Sequence, residues 1–150
     1  MNPTPEPESG RVARISDGDT LRLVDGRRIR LVQIDAPERV GECFGIAATN
    51  ALALLAPVGS TVELEQDPAL DDVDRNGRLL RYVQAKGRDV NVELVRLGAA
   101  APYFYRGARG RHAEALLESA EQSRGNRRGL WGACPEARLA PTRQIAAGSG

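Results

Sequence analysis

The chain has 150 residues, 41% hydrophobic and 27% charged, with a formal net charge of +1. That length suits one core and is short for two, and no run of about eighteen apolar residues occurs that could cross a membrane as a helix. The near-zero charge hides an asymmetry: residues 1–95 hold 12 basic and 16 acidic side chains, residues 96–150 hold 9 and 4.

Two readings of that split stand side by side. Both halves are solvated faces, or an acidic, metal-binding front meets a basic rim suited to a polyanion. Only Lys86 of the 21 basic residues is lysine; arginine grips phosphate through paired hydrogen bonds, although genome base composition produces the same bias.

Residues 1–10, MNPTPEPESG, lack a basic n-region and an apolar stretch, so they read as a disordered lead-in and not as a signal peptide. Arg11–Ile15 and Thr20–Val24 alternate as strands around the turn-forming SDGD, and Asp25-Gly26 offers a hairpin turn before a third strand, Arg28–Ile34. Pro37 and the Gly41–Gly45 segment break the pattern. Ile46–Ala56 is rich in helix formers and stops before Pro57-Val58-Gly59. Val62–Glu65 and Leu79–Ala85 read as a fourth and fifth strand, separated by the polar loop DPALDDVDRNG. Asn91 is expected to cap a short helix through Leu97, with Gly98 as its stop. Ala113, Leu116, Leu117 and Ala120 share one face of a helix spanning Arg111–Arg124. The order βββ-α-ββ-α-α suits an α+β fold in which a small barrel closes on itself and helices pack around it, because so small a sheet otherwise leaves its edges open. Residues 11–138 form the expected domain and residues 139–150 a loose tail.

Within this frame the charged residues of the opening meander need an explanation. Asp19 begins the second strand and Asp35 ends the third, so the hairpin between them makes the two carboxylates neighbours. Alone they repel and one takes a proton; a hard cation between them keeps both ionised. Carboxylates, a backbone carbonyl and water suit Ca2+, whereas a single histidine and no paired cysteine motif leave little for zinc. The plainer reading is that Asp17 and Asp19 are ordinary turn residues. Arg30 shares the alternating face of Val32 and Ile34 and so points to the barrel or its mouth, or forms an internal ion pair. Glu38 follows the stiffening Pro37 and is expected beside the ion without being needed as a ligand, where a base acting on water belongs.

The ordered set DGDT, IRLVQIDAPE, GECFG, DRNGR, VNVELVRLG and GLW resembles the staphylococcal nuclease (thermonuclease-like) family over roughly Arg11 to Trp131. The resemblance implies an oligonucleotide-binding (OB-fold) five-stranded barrel with three helices, and a calcium-dependent phosphodiesterase acting on DNA and RNA and leaving 3′-phosphate ends. It implies Asp19 and Asp35 as metal carboxylates and Ala36 as the position lending a carbonyl, although some members have threonine there. It makes Glu38 the general base and Arg30 and Arg78 the catalytic phosphate-binding arginines. Arg75 lies near the nucleotide, and Tyr103 and Tyr105 flank its pocket. Core packing is the alternative for the tyrosines, and Phe104 is expected in the core either way.

Asp72-Val73-Asp74-Arg75-Asn76-Gly77 also fits the first half of an EF-hand loop, but position twelve is Val83 and no helix precedes it. His112 reads as a surface residue. Cys43 and Cys134 are either two buried thiols or a disulfide; their placement in loops outside the regular elements favours the disulfide, and with it an extracellular or cell-envelope location. The chain is expected to be a monomer acting on nucleic acid. A catalytically silent single-strand-binding module on the same barrel and a protein-interaction domain are the competing readings; such silent modules usually lack the acids and arginines that this chain keeps, and an interaction domain leaves the charged cluster without a purpose.

Overall fold

The computed structural model describes residues 8–149. Strands β1 (Glu8–Asp17), β2 (Thr20–Leu23) and β3 (Arg28–Leu31) form an antiparallel meander. β1 also pairs with β5 (Thr61–Glu65), and β5 with β6 (Leu79–Ala85), both antiparallel. Parallel pairing of β3 with β6 closes these five strands into a barrel. β4 (Ile34–Asp35) pairs with β8 (Ala101–Pro102), and β7 (Arg88–Asp89) extends β6. Helices α1 (Gly45–Leu55), α2 (Val90–Arg96) and α3 (Ala113–Gly125) surround the barrel, with a single turn α4 (Leu130–Ala133) beyond. The α+β, OB-fold expectation holds.

Alternation places Leu21, Leu23, Ile29 and Leu31 inside, where they meet Leu52, Leu94, Phe104 and Leu116 from the helical side. A smaller cluster of Ala101, Leu130, Cys134, Ile145 and Ala147 lies against Cys43 and Trp131.

Several local expectations are corrected. The third strand does not run unbroken to Ile34, because Gln33 adopts φ 68 and turns the chain between β3 and β4. Its side chain takes up that turn's position, donating to the Ala108 carbonyl at 3.0 Å and accepting from the Gly110 N–H at 2.8 Å. Arg30 therefore does not share an inward face with Ile34. It lies on the outer face of β3, opposite in sense to buried Ile29 and Leu31. Asn91 is not the helix cap. Asp89 caps α2 by accepting from the Val92 N–H at 3.1 Å, while Asn91 is fully buried, accepting from Val83 N–H at 3.0 Å and donating to the Val32 carbonyl at 2.8 Å. Gly98 does end α2, with φ 74, and a Cβ there would lie 2.2 Å from the Arg128 carbonyl oxygen.

His112 is not a free surface residue: its ring stacks on Tyr82 at 3.8 Å and its Nδ1 lies 2.7 Å from Asp89. At the ends, Glu8–Gly10 belong to β1, whereas the lead-in expected over residues 1–7 lies outside the described residues. The segment 139–149 is packed and not loose. The Pro141 carbonyl accepts from the Phe104 N–H at 2.6 Å, the Gly148 carbonyl accepts from the Cys43 N–H at 2.9 Å, and Ile145 and Ala147 are buried.

Candidate active site

The SDGD turn delivers Asp19 to the start of β2, and the Gln33 turn swings Asp35 back towards it. Both carboxylates are buried, 6% and 9% exposed. They converge on one atom: Arg30 Nη2 lies 3.3 Å from Asp19 Oδ2 and 3.1 Å from Asp35 Oδ1. Arg30 is held in turn by the Leu31 and Ile34 carbonyls, the latter at 2.9 Å. Asp19 accepts from the Ala36 N–H at 2.8 Å and from the Thr20 hydroxyl at 3.0 Å. Asp35 accepts from the Ile145 N–H at 2.8 Å.

One guanidinium against two carboxylates leaves a buried excess of negative charge. Burial, and then the Asp19 charge, push Asp35 up to about 6, against the opposing pull of Arg30 and the Ile145 N–H. Glu42 is also raised, first by burial and then by the nearby charges of Glu38, Asp17 and Asp19, with the Glu38 N–H opposing. Glu38 is exposed on the loop after buried Pro37 and belongs to this acidic flank.

Beside the acids opens a cavity of about 540 Å³. Arg30, Arg75, Arg78, Tyr103 and Tyr105 all line it, and Glu38 does not. Arg78 is aimed by Asp74, whose Oδ2 accepts from Arg78 Nε at 2.7 Å while its Oδ1 accepts from the Arg78 and Asn76 N–H groups. Burial works against ionisation of Asp74, but these donors outweigh it and hold its pKa below the usual carboxylate range. The DRNGR stretch is thus an Asx-type turn presenting an arginine, and its aspartate is committed to that arginine, unlike an EF-hand ligand. Tyr103 and Tyr105 meet edge to face at 6.5 Å, and Arg106 lies 5.2 Å over the Tyr105 ring. Phe104 points the other way and is 1% exposed, in the core as expected.

Cys43 and Cys134 form a disulfide, with Cα atoms 5.9 Å apart. It ties the loop that follows Glu38 to the end of α4. Gln33, Gln144 and Ile145 complete the site without a sequence signal: Gln33 pins the tyrosine loop, Gln144 lines the cavity and Ile145 holds Asp35. Among the described residues no group of three or more His, Cys, Asp or Glu side chains is arranged to hold a metal ion. Asp19 and Asp35 are the two buried acids that the fold brings together, and both are engaged by Arg30.

Residues 28–133 match the family model described as staphylococcal nuclease homologue. Among curated proteins, an uncharacterized endonuclease of Escherichia coli O157:H7 is 38% identical over 126 residues, covering 81% of this chain and 76% of its own. A micrococcal nuclease of Shigella flexneri is 36% identical over 135 residues, covering 81% and 72%. Protein ParB of Escherichia coli is 38% identical over 134 residues, covering 81% and 71%.

Proposed function

The chain belongs to the staphylococcal nuclease family, and on that premise we propose that it is a calcium-dependent nuclease hydrolysing DNA and RNA with low sequence specificity to leave 3′-phosphate ends. The observation that carries this reading is the convergence of Asp19 and Asp35 on Arg30, at the edge of a cavity lined by further arginines and two tyrosines.

The residues fit a hard cation. Two buried carboxylates share one guanidinium, and Asp35 is driven towards protonation first by burial and then by the Asp19 charge; a bound cation relieves that repulsion. Asp19, Asp35 and the Ala36 carbonyl would hold Ca2+, which supplies Lewis-acid neutralisation of a non-bridging phosphate oxygen. Arg30 and Arg78 bind the phosphate and meet charge that grows on its oxygens in the transition state. Glu38 takes a proton from the water that attacks phosphorus; the bond to the 5′-oxygen breaks, and that oxygen leaves as an alcohol by taking a proton from solvent water. Tyr103 and Tyr105 stack or frame the nucleotide, and Arg75 follows the backbone.

The disulfide supports an oxidising, extracellular or cell-envelope setting. The protein acts as a monomer, and no helix of the described residues is long and apolar enough to cross a membrane. The test is digestion of single-stranded DNA and RNA with calcium or excess chelator, by the native chain and by Glu38→Gln. Digestion indifferent to chelator defeats the calcium assignment; binding without digestion under every condition favours a silent nucleic-acid-binding module.

A further inference from the structure

A row of arginines crosses the outer face of the barrel beside the catalytic cavity. In the β1–β2 register Arg14 faces Arg22, and in the β2–β3 register Arg22 faces Arg28. All three are exposed. Directly opposed residues on adjacent strands lie about 5 Å apart, and like charges in that position are destabilising. No acid relieves this row: among the described residues none of the three forms an ion pair, and Arg28 donates only to the Asn76 carbonyl.

These arginines line a separate groove of about 350 Å³, together with Ser16, Thr20 and Arg78 and without an aspartate or glutamate. Arg78 also lines the catalytic cavity. Arg28 and Arg30 stand two residues apart on the same face of β3, one in the groove and the other in the cavity. The groove and the catalytic cavity therefore adjoin, with Arg78 lining both.

We propose that this arginine row is a second phosphate-binding track, taking the backbone of the nucleic-acid strand beyond the nucleotide being cut. The identity of its occupant rests on the nuclease reading; the charge complementarity does not. Three strands span on the order of 10 Å, long enough to meet more than one phosphate, whose charges recur every ~3.4 Å along a helical strand. A strand bound there would supply the negative charge the row lacks and would feed the cavity from one side.

The test compares the native chain with an Arg14→Gln, Arg22→Gln double variant. Binding of a labelled DNA strand of about 20 nucleotides is measured in chelator, across a salt series, by fluorescence anisotropy. Affinity should fall about tenfold and the log–log salt slope should flatten by about one to two, near ~0.7 per lost contact. Cleavage in calcium gives the second readout: the ratio of kcat/KM for the long strand to that for a dinucleotide should fall by a similar factor. Arg14→Lys with Arg22→Lys should restore most of the affinity, and the glutamine variant should melt no lower than the native chain because the row repels itself. Unchanged affinity and salt slope would overturn the track. A native chain that binds the long strand with the expected dependence on the row, yet cleaves nothing in calcium, supports the track and defeats the nuclease reading.

Discussion

The backbone N–H of Ile145 donates a 2.8 Å hydrogen bond to Asp35 Oδ2, joining residues 110 positions apart. A carboxylate offered as a metal ligand is thereby held by the far end of the chain. Ile145→Pro removes that donor. The hydrogen bond favours the ionised carboxylate, so its loss should move Asp35 above about 6 and carry the acid limb of the kcat/KM profile to higher pH. Ile145→Val trims one methyl group at a cost of about 1 kcal/mol and should leave the limb in place. An unmoved limb in the proline variant refutes the positioning role.

Asp35 also makes stability depend on pH. Its carboxyl rises from 3.8 to about 6 on folding, so the folded chain binds the extra proton between those values. Stability from this group is therefore greatest below about 4, falls as pH rises through the window, and the full penalty is present above about 6. In chelator at neutral pH, Asp35→Asn should raise unfolding free energy by on the order of 2 kcal/mol. The same variant should lose both cleavage and the rise in Tm that calcium gives the native chain. Denaturant melts at pH 4 and pH 7 decide this; a variant less stable than the native chain at both values contradicts it.

Arg78→Ala and Glu38→Gln should each lower kcat by about a hundredfold to a thousandfold. Arg75 lines the same cavity; in its proposed role as a contact to the nucleic-acid backbone, Arg75→Ala should raise KM and change kcat little. Steady-state kinetics on single-stranded DNA separates the cases. A KM effect alone for Arg78 would move it from transition-state stabilisation to ground-state binding.

Reducing Cys43–Cys134, which are 91 residues apart, should cost roughly 4 kcal/mol on the loop-entropy account, often less in practice. The bond tethers the loop after Glu38 and the cluster that seats Ile145, so activity should fall before global unfolding. Cleavage and intrinsic fluorescence followed together during reduction check this. Loss of activity only in step with unfolding would mean that the bridge acts on stability alone.

Much of the barrel was readable because its determinants are local. Alternation marks β1 and β2, Asp25-Gly26 marks the hairpin, and the spacing of Ala113, Leu116 and Ala120 marks α3. The site residues were named through resemblance, and Arg30, Arg75, Arg78, Tyr103 and Tyr105 do line one cavity. Asn91 misled because a residue suited to capping is equally suited to satisfying buried backbone groups, here Val83 and Val32. His112 misled because nothing near it in sequence announces Tyr82 or Asp89 as its partners.

By itself the sequence determined the main strands and helices and the acids and arginines available, but not the short β4, β7, β8 and α4, since turns, caps and hydrophobic periods act over a few residues. Tertiary structure alone decided that β3 closes on β6, that Gln33 turns Asp35 towards Asp19, that residues 139–149 pack against the site, and that Arg14, Arg22 and Arg28 align. Each of those depends on which distant segments meet, and the energy of such a meeting resides in hydrogen bonds and burial that neither segment can express alone.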